Sequence, residues 1–216
     1  MSSIYERAAH NIFSLIQGRA EYTVSVSFIE IAGDNCFDLL DAFRPVQLIT
    51  NAHGAVHPFP VVEPSVSTAE ELIAFINHGR NVRTTAATGV HDASSRSHAV
   101  LQVYVQCTQH VEHRGDHVQE GVLTLVDLAG SEHKIDSMYH SAARRKEGAA
   151  INTSLMALKE CIRARAAGQD LNHYYRKSKL TMALKTSFAD PKSRTVVIAT
   201  VSPASKDTEH SLNSLR

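Results

Sequence analysis

Val122-Leu123-Thr124-Leu125-Val126 is a short, nearly unbroken apolar run closed by Asp127, and Gly130 follows three residues later. A run without polar alternation suits a strand buried on both faces of a parallel sheet, which commits its surroundings to layered α/β architecture. In open α/β sheets ligands bind just beyond the carboxyl ends of the strands, where a carboxylate can reach a hydrated Mg²⁺. A glycine there lets backbone N–H approach a phosphate oxygen with no Cβ in the way. The pattern is that of a nucleotide-sensing loop. Asp-x-x-Gly is also an ordinary turn after a strand, so the rest of the chain has to decide between the two.

The 216 residues are enough for one or two domains with a sizeable core. Basic and acidic side chains balance at 22 each, which gives no electrostatic case for nucleic acid or a membrane surface. A polyanionic partner would have to meet a local patch. Cys36, Cys107 and Cys161 are odd in number and scattered, and are expected to be reduced, buried thiols of a soluble intracellular protein. Neither a signal peptide nor a long apolar stretch occurs.

Helical spacing of Ile4, Ala8, Ile12, Leu15 and Ile16 predicts a helix over 4–17. Residues 22–32 alternate and are rich in Val, Ile, Ser and Thr, hence a strand, with Glu30 a polar interruption near its end. Residues 44–66 carry Pro45, Pro58, Pro60 and Pro64 and are expected to be a surface connection with minor strands. Ser67 and Glu70 have the spacing of a capping box opening a helix that runs to about Gly79. A strand over 99–107 and the strand at 122–126 are joined across a turn at Arg114-Gly115-Asp116. Ile151, Leu155, Leu158 and Ile162 mark the inner face of a long helix from about Glu147 to Gly168. A further helix is predicted over 178–188, a second doubly buried strand over 196–201, and the start of a helix over 205–216. Strands alternating with helices predict a three-layer α/β domain with a mostly parallel central sheet.

Six ordered segments resemble the kinesin motor domain. Ser94-Ser95-Arg96-Ser97-His98 is similar to the family's first switch and Asp127-Leu128-Ala129-Gly130-Ser131-Glu132 to its second. Residues 147–155 (EGAAINTSL) resemble the start of its microtubule-facing helix, and residues 176–181, 198–203 and 212–216 resemble three later motifs. The resemblance covers the whole chain, which corresponds to the C-terminal two thirds of the family's domain. Within the family, residues 157–164 (ALKECIRA) resemble the internal-motor, microtubule-depolymerising class, supported by Thr186-Ser187-Phe188 and Ser193-Arg194-Thr195. Ser131 stands where that class usually has Asn; His91, Tyr174 and Thr186 also depart from the family pattern.

What the resemblance implies is specific. The cofactors would be ATP and Mg²⁺. Ser94 and Ser95 would offer hydroxyls to the γ-phosphate and to Mg²⁺-bound water, Asp127 would hold the metal through water, and the Gly130 N–H would sense the γ-phosphate. Arg96 and Glu132 would form an ion pair latching the two switches; the plainer reading of that pair is a surface contact worth under about 1 kcal/mol. The partner would be tubulin in microtubules, placing the protein on the cytoplasmic cytoskeleton. Its binding surface would comprise Arg144, Arg145, Lys146, Lys159, Glu160, Arg163, Arg176, Lys177 and Lys179, basic groups suited to an acidic filament.

None of the ten glycines is followed by Lys, so the phosphate-binding loop G-x-x-x-x-G-K-[ST] is absent from these residues. In family terms Met1 falls just after that loop. The expectation is a partial motor domain whose own ATP turnover is doubtful, or a remnant that binds tubulin without nucleotide. A small GTPase using Asp127-x-x-Gly130 is disfavoured, because no Asn-Lys-x-Asp base-reading motif occurs. His110, His113 and His117 lack the Cys or helical spacing of a zinc site and read as an exposed turn. Ser97 and His98 do not make a hydrolase pair, since neighbours on a strand point to opposite faces.

Overall fold

The computed structural model describes residues 3–52, 54–86, 96–111, 115–130, 142–202, 204, 208 and 211–212; for 86, 109–111, 115–118 and 142–147 it describes the backbone alone. Helix α1 (Ile4–Ile16) opens on a capping box in which the Glu6 N–H donates to Ser3 Oγ and the Ser3 N–H donates to Glu6 Oε2. Strand β1 (Tyr22–Ala32) is the spine of the sheet. It pairs on one side with β2 (Asn35–Asp38), which pairs in turn with β3 (Arg44–Thr50), and β3 with β4 (Val56–Phe59). On its other side lies β6 (His98–Val111), and beyond it β7 (Gly115–Asp127); the short β5 (Ser65–Val66) adds to β1. The proline-bearing connection is therefore a hairpin extending the sheet. Buried Asp38 holds its return path, accepting the Leu40 N–H and the Val62 N–H, both at 2.8 Å.

Alternation along β1 assigns the layers. Val24, Val26 and Phe28 face a core shared with α1 and α2 (Ala69–Ala86), while Ile29 and Ile31 face a second cluster that includes Val46, Leu48, Val100 and Met182. Met182 belongs to α5 (Lys179–Ala183), which packs beside α3 (Ala142–Ala166), α4 (Asn172–Tyr175) and α6 (Lys185–Ala189) around Cys161, Tyr175, Leu180, Leu184 and Phe188. Helices thus cover both faces of a mixed α/β fold.

The mostly parallel sheet is corrected. Every strand pair among the described residues is antiparallel. The cause is local: Val111 ends β6 opposite Gly115, which opens β7, and so short a connection permits only antiparallel pairing; of the turn read at Arg114-Gly115-Asp116, Gly115 and Asp116 belong to β7 and Arg114 lies outside the described residues. β7 is also the last strand in the sheet order, so Val122 and Leu123 are 44 % and 37 % exposed rather than doubly buried. Residues 196–201, expected as a strand, form none among the described residues, and Val196, Val197 and Ile198 stand in solvent. A strand needs a neighbour's ladder before its apolar side chains can be buried.

Smaller shifts have local causes. Thr68 rather than Ser67 caps α2, its Oγ1 accepting the Glu71 N–H, while the Ser67 N–H donates to Glu71 Oε2. The helix predicted at 178–188 is two short helices broken at Leu184. α2 also runs past Gly79, where the missing side chain lets the helix approach β1: a Cβ there would overlap Phe28 Cδ1 and stand 3.0 Å from Phe28 Cε1. Phe28 is fully buried and cannot swing away. Gly79→Ala should gain about 1 kcal/mol of helix propensity but lose about 1–3 kcal/mol to overpacking. Urea unfolding should show a net destabilisation; a stabilised variant would mean that the helix can back off the sheet.

Candidate nucleotide-sensing end and filament-facing helix

Strand parity also builds the candidate site. Ala99 lies opposite both Glu30 and Asp127, so Glu30, Ser97 and Asp127 share the face that α2 covers. Into that face Arg83, from the last turn of α2 and 8 % exposed, brings a guanidinium. Its Nη1 donates to Asp127 Oδ2 at 2.8 Å and its Nη2 donates to the Ser97 carbonyl at 2.8 Å, while Nε lies 3.9 Å from Glu30 Oε1. Burial pushes the Glu30 carboxyl above its ordinary range, opposed by the Ser97 hydroxyl and by Arg83. One buried cation therefore stands between a buried carboxylate and an exposed one, since the Asp127 side chain is 58 % accessible.

His98, opposite Ile31, points to the other face, toward α3. It is 2 % exposed. Its Nδ1 accepts the Ala129 N–H at 3.0 Å, and its Nε2 lies 2.7 Å from Ser154 Oγ, which donates to the Ile151 carbonyl at 2.7 Å. These partners fix the tautomer: the lone pair is at Nδ1, so the proton sits on Nε2 and is donated to Ser154. Burial, then the charge of Arg83, lower the ring's pKa to about 4, with Asp127 opposing.

Of the residues expected to read nucleotide, Arg96 is half-buried in the turn before β6, Asp127 ends β7 and Gly130 follows it half-buried, all at the same end of the sheet. Ser94, Ser95 and Glu132 lie outside the described residues, and with them the Arg96–Glu132 latch. The signal for Glu30 was its interruption of an apolar strand. Arg83 gave none, sitting as one basic residue near a helix end. An open cleft of about 880 Å³ between α1, α2 and the start of β1 lies at the opposite end of the sheet and holds none of these residues. No group of three His, Cys, Asp or Glu gathers as a metal site among the described residues. Asp127 is exposed on one side and ion-paired with Arg83 on the other, and it is not one of such a group among the described residues.

On α3 the inward stripe is Ile151, Ser154, Ala157, Cys161 and Ala164, rotated from the expected one; Leu155 and Leu158 are half-buried and Ile162 is 37 % exposed. Most residues of that buried stripe are small, a signal that counting large apolar residues misses. Met156, Lys159 and Arg163 are exposed together on the outer side. Arg176 is exposed and Lys179 half-buried, and for Arg144, Arg145 and Lys146 only the backbone is described. Glu160 accepts from Lys177 Nζ at 2.6 Å, and that bond raises the lysine's pKa. Lys177 also lies 5.0 Å from the centre of the Tyr174 ring.

The kinesin motor domain family model matches residues 1–216, and the chain belongs to that family. It is 41 % identical over 218 residues to the diatom spindle kinesin-1 of Cylindrotheca fusiformis, covering 100 % of this chain and 33 % of that protein. It is 39 % identical over 218 residues to the kinesin-like protein KIF19 of Mus musculus, covering 98 % of this chain and 22 % of that one. The chain thus spans a third of one curated relative and less of the other. Among solved structures, a fast kinesin described for its ATPase mechanism and interactions with microtubules superposes with a TM-score of 0.81 at 32 % identity, over 99 % of this chain and 60 % of that one. A two-heads-bound KIF14 dimer with AMP-PNP in complex with a microtubule gives 0.81 at 32 %, over 97 % and 62 %.

The His98 environment sets a pH dependence. Its folded pKa lies below the ordinary 6.5, so between pH 6.5 and about 4 the unfolded chain takes the proton first. Stability from the neutral ring is complete above pH 6.5 and is lost as pH falls through that window, with a ceiling on the order of 3 kcal/mol. Urea unfolding of the wild type and His98→Gln at pH 4 to 7 should show the wild type losing its advantage as pH falls. A constant difference between the two would contradict it.

Proposed function

We propose that residues 1–216 are the part of a kinesin motor domain that follows its phosphate-binding loop, and that they serve an ATP-driven, microtubule-binding motor. The observation that carries this reading is the continuous path from Asp127 and Gly130, through Ala129, His98 and Ser154, into α3, whose outer side presents Lys159 and Arg163. Mg²⁺-ATP, when bound, supplies the terminal phosphate whose presence or loss is sensed. In this chain Ser94, Ser95 and Asp127 would face the metal and phosphate, the Gly130 N–H would read the γ-oxygen, and Arg96 with Glu132 would hold the switches together. Arg83 is paired with Asp127, so drawing that carboxylate toward a hydrated metal would have to be compensated at Arg83, with Glu30 the next acceptor at 3.9 Å.

Tubulin is the partner that the basic surface suits, through Arg144, Arg145, Lys146, Lys159, Arg163, Arg176 and Lys179, with Lys177 already bonded to Glu160. One relative is named a spindle kinesin and one structural neighbour is a dimer in complex with a microtubule, which supports a cytoskeletal partner. Residues 157–164 favour the depolymerising class within the family. A second reading is a tubulin-binding module that works without nucleotide.

Co-sedimentation with microtubules tests both readings. The Lys159→Ala/Arg163→Ala variant should bind about fivefold more weakly at low salt, a loss of roughly 1 kcal/mol that shrinks as salt is raised. Unchanged co-sedimentation would remove α3 as the filament face. Binding by the wild type that ignores Mg²⁺-ATP, with the phosphate loop supplied in a longer chain, would favour the second reading.

A further inference from the structure

We propose that His98 is a positioning residue, a strut fixing where the loop after Asp127 stands relative to α3, so that the two move together or not at all. The inference deepens the proposed reading of that loop as a phosphate gate and rests on it. Three observations carry it. The first is anchorage: His98 begins β6, and β6 is laddered to β1 from His98 opposite Ile31 to Cys107 opposite Tyr22, so the base of the imidazole cannot drift. The second is that both ring nitrogens are committed in different directions, Nδ1 to the Ala129 N–H at 3.0 Å and Nε2 to Ser154 Oγ at 2.7 Å. The third is continuation: Ser154 passes its own hydrogen to the Ile151 carbonyl, so the ring addresses the α3 backbone as well as a rotatable hydroxyl.

His98, Ala129 and Ser154 are all buried, at 2 %, 5 % and 6 % exposure, so water does not readily replace any of these bonds. An imidazole is rigid and planar, with the geometry between its two nitrogens fixed. If Ala129 shifts, either its bond breaks or the ring tilts about its anchored base and carries Nε2 against Ser154. A glutamine or asparagine can imitate one nitrogen but does not span both. On this account histidine at position 98 is required for its two bonding directions, and Ser154 is the seat that receives the motion in the helix.

Packing alone would leave the two ends independent, and amide exchange in the full chain separates the cases. Ser154 does not bond the loop, so Ser154→Ala should leave local packing near intact yet speed exchange of the Ala129 amide about tenfold, because the untethered ring no longer holds its acceptor in place. His98→Asn, which keeps an acceptor near the Nδ1 position, should hold Ala129 exchange within about threefold of wild type while the α3 amides near Ser154 exchange about tenfold faster. Ala129 exchange unchanged in Ser154→Ala, or α3 exchange unchanged in His98→Asn, would overturn the strut. Neither measurement needs nucleotide or microtubules, so a failure here is distinct from a failure of the motor reading, which co-sedimentation tests separately.

Discussion

The antiparallel ladder between β1 and β6 is the constraint on which the rest of the structure depends. It runs from the sheet's far end, at Tyr22 and Cys107, to the end where Ile31 meets His98, and it fixes a parity that β7 inherits through its own ladder to β6. Residues of one parity, Glu30, Ser97 and Asp127, look toward α2 and collect the charge of Arg83. Residues of the other parity, Ile31, His98 and Val126, look toward α3 and α5. Because the side-chain period is two, a slip of one residue would exchange these sets and put a carboxylate against α3. The apolar cores on both faces make that slip costly, so packing far from the site guarantees the site's polarity.

How the buried charge is tolerated follows from the same geometry. Glu30 and Arg83 are both nearly inaccessible, and a lone ion in either position would carry a desolvation cost of several kcal/mol. Their mutual attraction offsets part of this, and the exposed Asp127 carboxylate supplies a second acceptor at 2.8 Å. The guanidinium suits the role because its planar fork can address Asp127 and the Ser97 carbonyl at once, which a lysine could not.

Part of this was legible in the chain itself. The helix at 4–17, the start of α2 within one residue of its expected cap and the short connection between β6 and β7 are local signals, written within a few residues and independent of distant context. The parallel-sheet expectation drew on the apolarity of residues 122–126 and ignored the turn read a few residues earlier, which already required an antiparallel partner. Apolarity records what a strand could bury, whereas pairing depends on which neighbours are present. The inner face of α3 was misplaced for a related reason: Ala157, Cys161 and Ala164 are small yet buried, and a search for bulky residues selects the shoulders of the contact. Arg83 is a tertiary fact, since nothing within α2 says that its last turn ends over two carboxylates.

The outer margin of β7 has a bearing on the behaviour of the chain in concentrated solution. Among the described residues Val122 and Leu123 stand on the last strand of the sheet order, and the β-branched segment at 196–198 is well exposed. A sheet margin and an exposed strand-prone segment on the same molecule are complementary, so each copy of these residues offers the next both a template and something to lay on it. Head-to-tail accretion of that kind does not close on itself, and colloidal stability would then hinge on whatever chain or ligand occupies the margin first.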